Sequence, residues 1–342
     1  MTRDLVLFGD CRERLKEFDD LARMCITSPP YYGLRNYGDE EDQIGIEQSP
    51  EDYVNELVKV FREVKNNLTE DGTLWLNIGD SYYNYRPGKG QGLVKQSVSK
   101  TNQDLPSKCN RRGNKLQGYK EKDLIGIPWL LAFALRKDGW YLRQDIIWSK
   151  PNPQPISSKD RFWGNHEKFF WFVKDVKKYY FNRDAILVPQ AELSIRRMFS
   201  KNNMNKRKDF NATSKEGFAI SSDSQDKHYA RMREEMGIDK EFNYEELIKS
   251  GKCPTRPEFD TWNVPSVTYK GAHFAVYPPE LIEKPILSCC PEQGIVIDPF
   301  MGSGTTGEVA KLNNRKYIGL ELNPEYAILA NERISKVGGI FT

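Results

Sequence analysis

Two short segments near opposite ends of the chain contain residue types suited to binding and chemistry. The segment TSPPYY at residues 27–32 follows the apolar run 24–26. Two adjacent prolines cannot continue a helix, and each removes a backbone donor from a sheet. The segment is therefore either a turn that ends a strand or a binding site built from a hydroxyl, rigid carbonyls and aromatic rings.

The second segment, DPFMGSGTT at residues 298–306, lies between a predicted strand and a predicted helix. Glycines let a backbone approach a ligand closely, and a helix N-terminus offers free N–H groups. About twenty residues later, Glu321 ends the next predicted strand. An acid at this position in nucleotide-binding βαβ units typically binds the ribose hydroxyls. The segment lacks the GK[ST] ending of a P-loop and the third glycine of the dinucleotide fingerprint. We expect an adenosine-type ligand without a pyrophosphate; an ordinary exposed carboxylate is the alternative for Glu321.

The elements that must position these segments alternate between strands and helices. The predicted strands are residues 5–8, 24–27, 73–78, 141–149, 168–174, 178–182, 295–298 and 317–322. The predicted helices cover residues 11–18, about 50–68, 124–137, the stretch after the glycines to about 312, and 324–335. This alternation is typical of a parallel α/β sheet.

Length and composition limit the class of protein. The 342 residues suit one large domain with insertions or two domains, and 29% charged residues are typical of a polar surface. No stretch has the apolar length of a membrane span and the N-terminus does not resemble a signal peptide, so we expect a cytoplasmic protein without a membrane partner. Six cysteines without CxxC spacing and three histidines make a metal site unexpected.

Two stretches interrupt the alternation and are strongly basic. Residues 86–122 contain ten Lys and Arg against two acids, and residues 191–233 contain ten against five. Taken alone, such stretches are solvated surface loops. Beside a catalytic face they are candidates for contact with nucleic-acid phosphates.

Together, the segments resemble the motifs of the amino-group DNA methyltransferases in their β arrangement. TSPPYYGLRNYG, from residue 27, is similar to catalytic motif IV, and DPFMGSGTTGEVA, from residue 298, is similar to the S-adenosylmethionine motif I. Other matching segments are LFGDC at 7–11, GTLWLNIGD at 72–80, IIWSKPNPQP at 146–155, AHFAVYPPELIEKPI at 272–286 and YIGLEL at 317–322. The resemblance covers nearly all of the chain except the two basic stretches.

The resemblance implies the Rossmann-like α/β fold of S-adenosylmethionine-dependent methyltransferases, with a mostly parallel, circularly permuted sheet. Residues 1–184 would form the catalytic half with a basic insertion at 86–122, residues 185–260 a target-recognition insertion, and residues 261–342 the cofactor-binding half. The residues expected to bind S-adenosylmethionine are Asp10, Asp298, Phe300, Gly302, Ser303, Gly304, Thr305, Thr306, Glu321 and Phe274. The alternatives are a helix cap for Asp10 and a place in the core for Phe274.

The implied reaction is methylation of the exocyclic amine of a base extruded from DNA. Hydrogen-bond acceptors can free the lone pair of that amine, and Ser28 Oγ and the Pro29 carbonyl suit this role. Pro29 and Pro30 fix where the carbonyls point, and Tyr31 supplies a flat face for the base. A Ser at the first motif position favours cytosine N4, with adenine N6 as the alternative. Methylation at carbon 5 is disfavoured because the chain has no Pro-Cys pair.

Two other functions compete with this interpretation. One is methylation of an RNA base or a protein amide, and the other is non-catalytic nucleic-acid binding. The order of the motifs and the basic stretches argue against the first. The intact SPPY and FMGSGTT segments argue against the second.

Double-stranded DNA is the expected partner, alongside a cognate restriction endonuclease that would act separately. Target recognition is expected from residues 185–260, with residues 86–122 closing on DNA from the other side. The basic residues predicted to contact DNA are Arg111, Arg112, Arg196, Arg197, Lys206 and Arg207. Asp80 is either a residue of the catalytic face or a turn former. Asn77 is likewise undecided.

Overall fold

The chain divides into two compact units, one formed by Met1–Ala185 with Phe259–Thr342 and the other by Ile186–Glu258. The computed structural model describes residues 4–18, 22–33, 43–83, 118–153, 155, 158–199, 243–267 and 277–337. The smaller unit corresponds closely to the stretch expected to recognise the target, and that role stays a prediction.

A mostly parallel sheet forms the centre of the larger unit. The described strands are β1 (Leu5–Phe8), β2 (Ala22–Thr27), β3 (Leu68–Ile78), β4 (Tyr141–Ser149), β5 (His166–Val173), β6 (Leu187–Pro189), β7 (Thr255–Pro257), β8 (Thr261–Asn263), β9 (Ile295–Asp298) and β10 (Lys316–Glu321). Among the described residues, eight of them form one sheet in the order β1-β10-β9-β2-β3-β5-β4-β8, in which β5 runs antiparallel to both neighbours. The predicted α/β fold with a mostly parallel sheet is confirmed.

The strand order brings the two ends of the chain together. β9 and β10 lie between β1 and β2, and each of the three contacts between these strands is parallel. The carboxyl ends of these four strands therefore lie at one edge of the sheet, which we call the carboxyl edge. The segments that follow β2 and β9 meet there, although about 270 residues separate them (271 between Thr27 and Asp298).

Helices of the larger unit cover both faces of this sheet, whereas α4 and α5 in the following list belong to the smaller unit. The described helices are α1 (Cys11–Arg14), α2 (Pro50–Asn67), α3 (Ile127–Lys137), α4 (Glu192–Phe199), α5 (Tyr244–Lys249), α6 (Pro279–Cys289), α7 (Thr305–Leu312) and α8 (Pro324–Ser335). Alternate residues of β2 point to opposite faces. Cys25 joins the core beneath α2 and α3, whereas Met24 and Ile26 join the core beneath α6, α7 and α8.

The start of α2 follows from its sequence. Ser49 Oγ accepts a hydrogen bond from Asp52 N at 3.1 Å, and Pro50 occupies the first turn, where its missing N–H costs nothing. Leu57, Phe61 and Val64 recur at helical spacing and are fully buried. These side chains join the same core as Cys25 of β2, so α2 packs on that face of the sheet.

Two predicted elements differ from the structure. Residues 178–182 form no strand; Tyr180 N donates to Asp71 O and Asn182 N to Ser288 O, while the rings of Tyr179 and Phe181 pack on Trp171. The aromatic residues of this stretch therefore reflect packing of individual rings and not strand pairing. The helix predicted at 11–18 is shorter, because it ends as a 3₁₀ turn at Leu15–Glu17.

The smaller unit has its own small core. β6 and β7 pair antiparallel, and α4 and α5 contribute Ile195 and Leu247, which pack with Cys253. The described helices are all too short or too polar to span a bilayer.

Candidate active site

The TSPPYY segment forms a rigid corner at the carboxyl end of β2. Tyr53 of α2 donates its hydroxyl to the Pro30 carbonyl at 2.8 Å, and its ring packs against that of Tyr32 at 5.4 Å between centroids. Pro29 is buried and Ser28 is half-buried. The role of Tyr53 is not evident from the sequence, where the residue resembles one more apolar position of a helix.

Tyr31 is held at its hydroxyl end by two side chains from neighbouring strands. The hydroxyl lies 2.7 Å from Glu167 Oε2, to which it donates, and 3.2 Å from Asn77 Oδ1. Burial, and to a lesser extent the charge of Glu167, raises the pKa of the Tyr31 phenol well above its ordinary value. A hydrogen bond with Ser28 opposes this shift. The phenol therefore stays a neutral donor over the physiological range.

The edge of the Tyr31 ring is packed closely on the backbone. A Cβ at Gly79 would lie 2.6 Å from Tyr31 Cε2, well inside van der Waals contact. A glycine is required here because no side chain fits between the ring and the end of β3. The ring is thus held at its hydroxyl and along one edge.

A charged pair supports this arrangement. Lys150, in the loop after β4, forms an ion pair with Glu167 and lies 4.2 Å from the centre of the Trp148 ring. Asn77 Nδ2 also donates to Glu167 Oε2 at 3.2 Å. Asn77, undecided from sequence, is thereby placed on the active-site face. Glu167 was not predicted, and Lys150 belongs to the matching segment 146–155 without a predicted role of its own.

Asp298 joins the corner to the glycine-rich segment. It is fully buried, and it accepts hydrogen bonds of 2.5 Å from both Thr27 Oγ1 and Thr306 Oγ1. Phe300 N and the Tyr277 hydroxyl donate to it at 3.0 and 3.2 Å. Burial raises the pKa of Asp298, and the hydrogen bonds from Thr27 and Thr306 oppose that shift. Asp298 therefore fixes the geometry of both segments at once.

The glycine-rich segment lies beside Glu321, as predicted. Gly302 and Gly304 have φ angles of 55° and 87°, in the left-handed region that glycine tolerates best. Gly302 N donates to Glu321 Oε2 at 2.8 Å, and Asn323 N donates to Glu321 Oε1 at 2.9 Å. Burial raises the pKa of Glu321. A carboxylate with two ordered oxygens at the end of β10 suits a ligand that carries hydroxyl groups.

The hydroxyls of Ser303 and Thr305 are bonded within the protein. Arg333 of α8 donates to Ser303 Oγ and to Thr305 Oγ1, both at 3.1 Å, and also pairs with Glu308. In this structure these hydroxyls therefore attach α7 to α8, and their part in cofactor binding stays a prediction. Phe300 is half-buried, with its ring packed against the core.

Two acidic residues considered from sequence cap helices. Asp10 Oδ1 accepts from Arg12 N at 2.8 Å at the start of α1. Burial raises the pKa of Asp10, but the hydrogen bonds and charge of Arg12, with the charge of Lys16, together lower it below its ordinary value. Pairing of Phe8 with Glu321 also places Asp10 at the carboxyl edge. Asp80 Oδ1 accepts from Gly126 N at 2.9 Å and Ile127 N at 3.1 Å, so it caps α3.

Several predicted contacts lie outside the described residues. They are Phe274, Arg111, Arg112, Lys206, Arg207 and the side chain of Arg197. Arg196, which is described, forms an ion pair with Glu192 one turn earlier in α4. Within the described ranges, no group of three or more His, Cys, Asp or Glu is placed to hold a metal ion.

This chain is similar to known proteins both in sequence and in fold. Residues 22–332 match the family model described as DNA methylase. The Type II methyltransferase M.SmaI of Serratia marcescens is 37% identical over 96% of this chain and 90% of that protein. Two solved structures share the fold. A PvuII DNA methyltransferase described as cytosine-N4-specific has a TM-score of 0.57 and 16% identity, and the match covers 98% of this chain and 92% of that one. A putative DNA modification methylase of Thermus thermophilus complexed with S-adenosyl-L-methionine has a TM-score of 0.52 and 20% identity, and the match covers 98% of this chain and 96% of that one.

Proposed function

Since this chain belongs to the N6/N4 DNA methylase family, we propose that it methylates the N4 amine of cytosine in double-stranded DNA at a specific sequence. The observation that carries the proposal is the hydrogen bond of 2.5 Å from Thr27 to Asp298. This bond fixes Ser28, the next residue, beside the glycine-rich segment. The group that would orient an amine and the segment that would hold a methyl donor thus lie side by side.

The corner after β2 suits an amine substrate. The lone pair of an exocyclic amine is delocalised into the base, and acceptors at its protons free that lone pair for attack. Ser28 Oγ and the Pro29 carbonyl act as these acceptors, held in place by the bond from Tyr53 to the Pro30 carbonyl. The ring of Tyr31, held by Glu167 and Gly79, stacks on the extruded base.

The residues of the glycine-rich segment fit S-adenosylmethionine. Glu321 offers two carboxylate oxygens for ribose hydroxyls at the end of β10, and Gly302 and Gly304 let the backbone approach the ligand. Phe300 and Asp10 lie at the same edge of the sheet. When bound, the cofactor supplies an electrophilic methyl group on sulfur.

The choice of cytosine rests on Ser28. In β-arranged relatives, a Ser at this motif position accompanies N4 methylation of cytosine more often than N6 methylation of adenine. Ser is neutral and can both donate and accept, so it suits either amine and excludes neither. The PvuII enzyme supports the fold alone, because it is only 16% identical. Adenine N6 is therefore the second candidate.

The relative from Serratia marcescens is named as a Type II methyltransferase. We infer by analogy that this enzyme protects DNA from a cognate restriction endonuclease that acts as a separate protein. DNA methylated to completion by the enzyme would then resist that nuclease, and unmethylated DNA would be cut.

One experiment tests the reaction. Purified protein is incubated with unmethylated DNA and isotope-labelled S-adenosylmethionine, the DNA is digested to nucleosides, and the modified base is identified by mass spectrometry. We expect N4-methylcytosine from the wild type and none from Ser28→Ala or Gly302→Asp. N6-methyladenine would overturn the choice of base, and no methylated base would overturn the proposed reaction.

A further inference from the structure

A loop at the carboxyl edge holds two large aromatic side chains out in water. Residues 158–165, here called the aromatic loop, lead into the start of β5. Phe162 is 98% exposed and Trp163 is 56% exposed. A contiguous pair of exposed aromatic rings of this size is typical of a binding surface.

The aromatic loop is attached to the candidate active site. Lys150 N donates to Asn165 O at 2.7 Å, and Glu167, which holds Tyr31, lies five residues after Phe162. Five residues of extended chain span at most about 18 Å. Phe162 is therefore within reach of DNA whose target base lies against Tyr31.

Basic groups accompany the exposed rings. The Arg161 guanidinium lies 3.6 Å from the centre of the Tyr82 ring, and Tyr82 is itself exposed just after β3. Asp160, the acid of the loop, is paired with Lys122 at 2.7 Å. Lys159 and Arg161 leave the loop with a positive balance, which suits contact with phosphates.

We propose that the aromatic loop enters the DNA duplex beside the extruded base, where Phe162, supported by Trp163, stacks on the neighbouring bases. This inference rests on the proposed function, because it requires a base to leave the helix. Exposed rings flanked by cations are the combination that binds unstacked bases and the adjacent backbone. The loop thus stabilises the opened duplex and does not touch the reacting amine.

The test separates duplex opening from chemistry. Once the target sequence is mapped, single-turnover methylation is measured on two duplexes, one with the target base paired and one with it opposite an abasic site. We expect the double variant Phe162→Ala with Trp163→Ala to methylate the paired duplex roughly tenfold or more slowly than the wild type. On the duplex with the abasic site, its rate should approach that of the wild type, because base–aromatic stacking matters only when the duplex must be opened. Phe133→Ala, which removes an exposed ring on α3 (54%), is the matched control and should change neither rate.

The outcomes distinguish the two proposals. A wild-type protein that methylates neither duplex contradicts the proposed function and this inference with it. An active wild type whose double variant is unimpaired, or is slowed equally on both duplexes, overturns the role of the aromatic loop alone. A double variant that changes the sedimentation mass of the protein and not the paired-duplex rate shows instead that the loop contacts a second copy.

Discussion

The hydroxyl of Tyr31 lies 2.7 Å from Glu167 Oε2, although 136 residues separate them in the chain. The bond joins the corner after β2 to the start of β5. Glu167 is in turn paired with Lys150 and bonded by Asn77. The orientation of the Tyr31 ring therefore depends on side chains from three strands or their ends, and Glu167 is a positioning residue for the proposed base contact.

Replacing Glu167 with Ala is expected to slow methylation without weakening cofactor binding. A hydrogen bond to a charged group contributes about 1.5–3 kcal/mol, so kcat on DNA should fall by roughly tenfold to a hundredfold. The Kd for S-adenosylmethionine should stay within about twofold, because Glu321 and the glycine-rich segment are untouched. Steady-state kinetics and calorimetry measure the two quantities.

A double-mutant cycle shows whether the effect passes through Tyr31. In a Tyr31→Phe background, the hydroxyl is absent and Glu167→Ala should cost much less than in the wild type. Fully additive effects would mean that Glu167 acts by another route, such as through Lys150.

Gly79→Ala is expected to impair activity by moving the Tyr31 ring. The new Cβ would lie 2.6 Å from Tyr31 Cε2, so the ring must shift. A displacement of about 1 Å in a positioning group can cost up to about a hundredfold in rate, and we expect a loss on the order of tenfold or more. Activity assays on the single variant are compared with a Tyr31→Ala background, in which Gly79→Ala should have little further effect. An equal loss in both backgrounds would contradict this cause.

The fold and the two main segments could be predicted from the sequence, whereas the residues that hold those segments in place could not. Regular strands such as β9 and the capped helix α2 follow from local patterns, and so does the placement of Glu321 after β10. Glu167 and Tyr53 could not be recognised, because each acts through contacts with residues far away in sequence. The prediction for residues 178–182 was wrong because a short aromatic run does not reveal whether its rings pack individually or along a strand.

Thr27→Val is expected to destabilise the protein and more so at neutral than at acidic pH. The substitution keeps the shape of the side chain and removes one donor from the buried Asp298 carboxylate, which costs about 1–3 kcal/mol. The hydrogen bond from Thr27 opposes the rise in the Asp298 pKa, so it stabilises the ionised form. The contribution of this hydrogen bond to the free energy of unfolding is therefore present above the raised pKa of Asp298 and is lost as pH falls through that pKa.

Urea unfolding at several pH values measures this difference in free energy. Thr73→Val is the control, since Thr73 is equally buried in β3 and, within the described residues, donates to no carboxylate. A difference between wild type and Thr27→Val that does not change with pH would show that Asp298 is not the group involved.

Cofactor affinity is expected to fall as pH is lowered through the pKa of Glu321. Burial raises that pKa above its ordinary value, and a protonated acid can no longer accept two ligand hydroxyls through both oxygens. Affinity should be constant above the raised pKa and fall by up to about tenfold per pH unit below it. Asp10, whose pKa is lowered, stays ionised in this range, whereas Asp298 has a raised pKa of its own.

Glu321→Gln separates the two acids that have raised pKa values. This variant keeps Asp298, so an affinity that is weaker than wild type at neutral pH and nearly independent of pH assigns the effect to Glu321. Calorimetric titration with S-adenosylmethionine from mildly acidic to neutral pH gives the affinities, and circular dichroism confirms that each sample is folded. If the affinity of Glu321→Gln depends on pH as the wild-type affinity does, loss of the Glu321 carboxylate has left the pH dependence intact. The titrating group is then Asp298, and the proposed contact of Glu321 with the ribose is wrong.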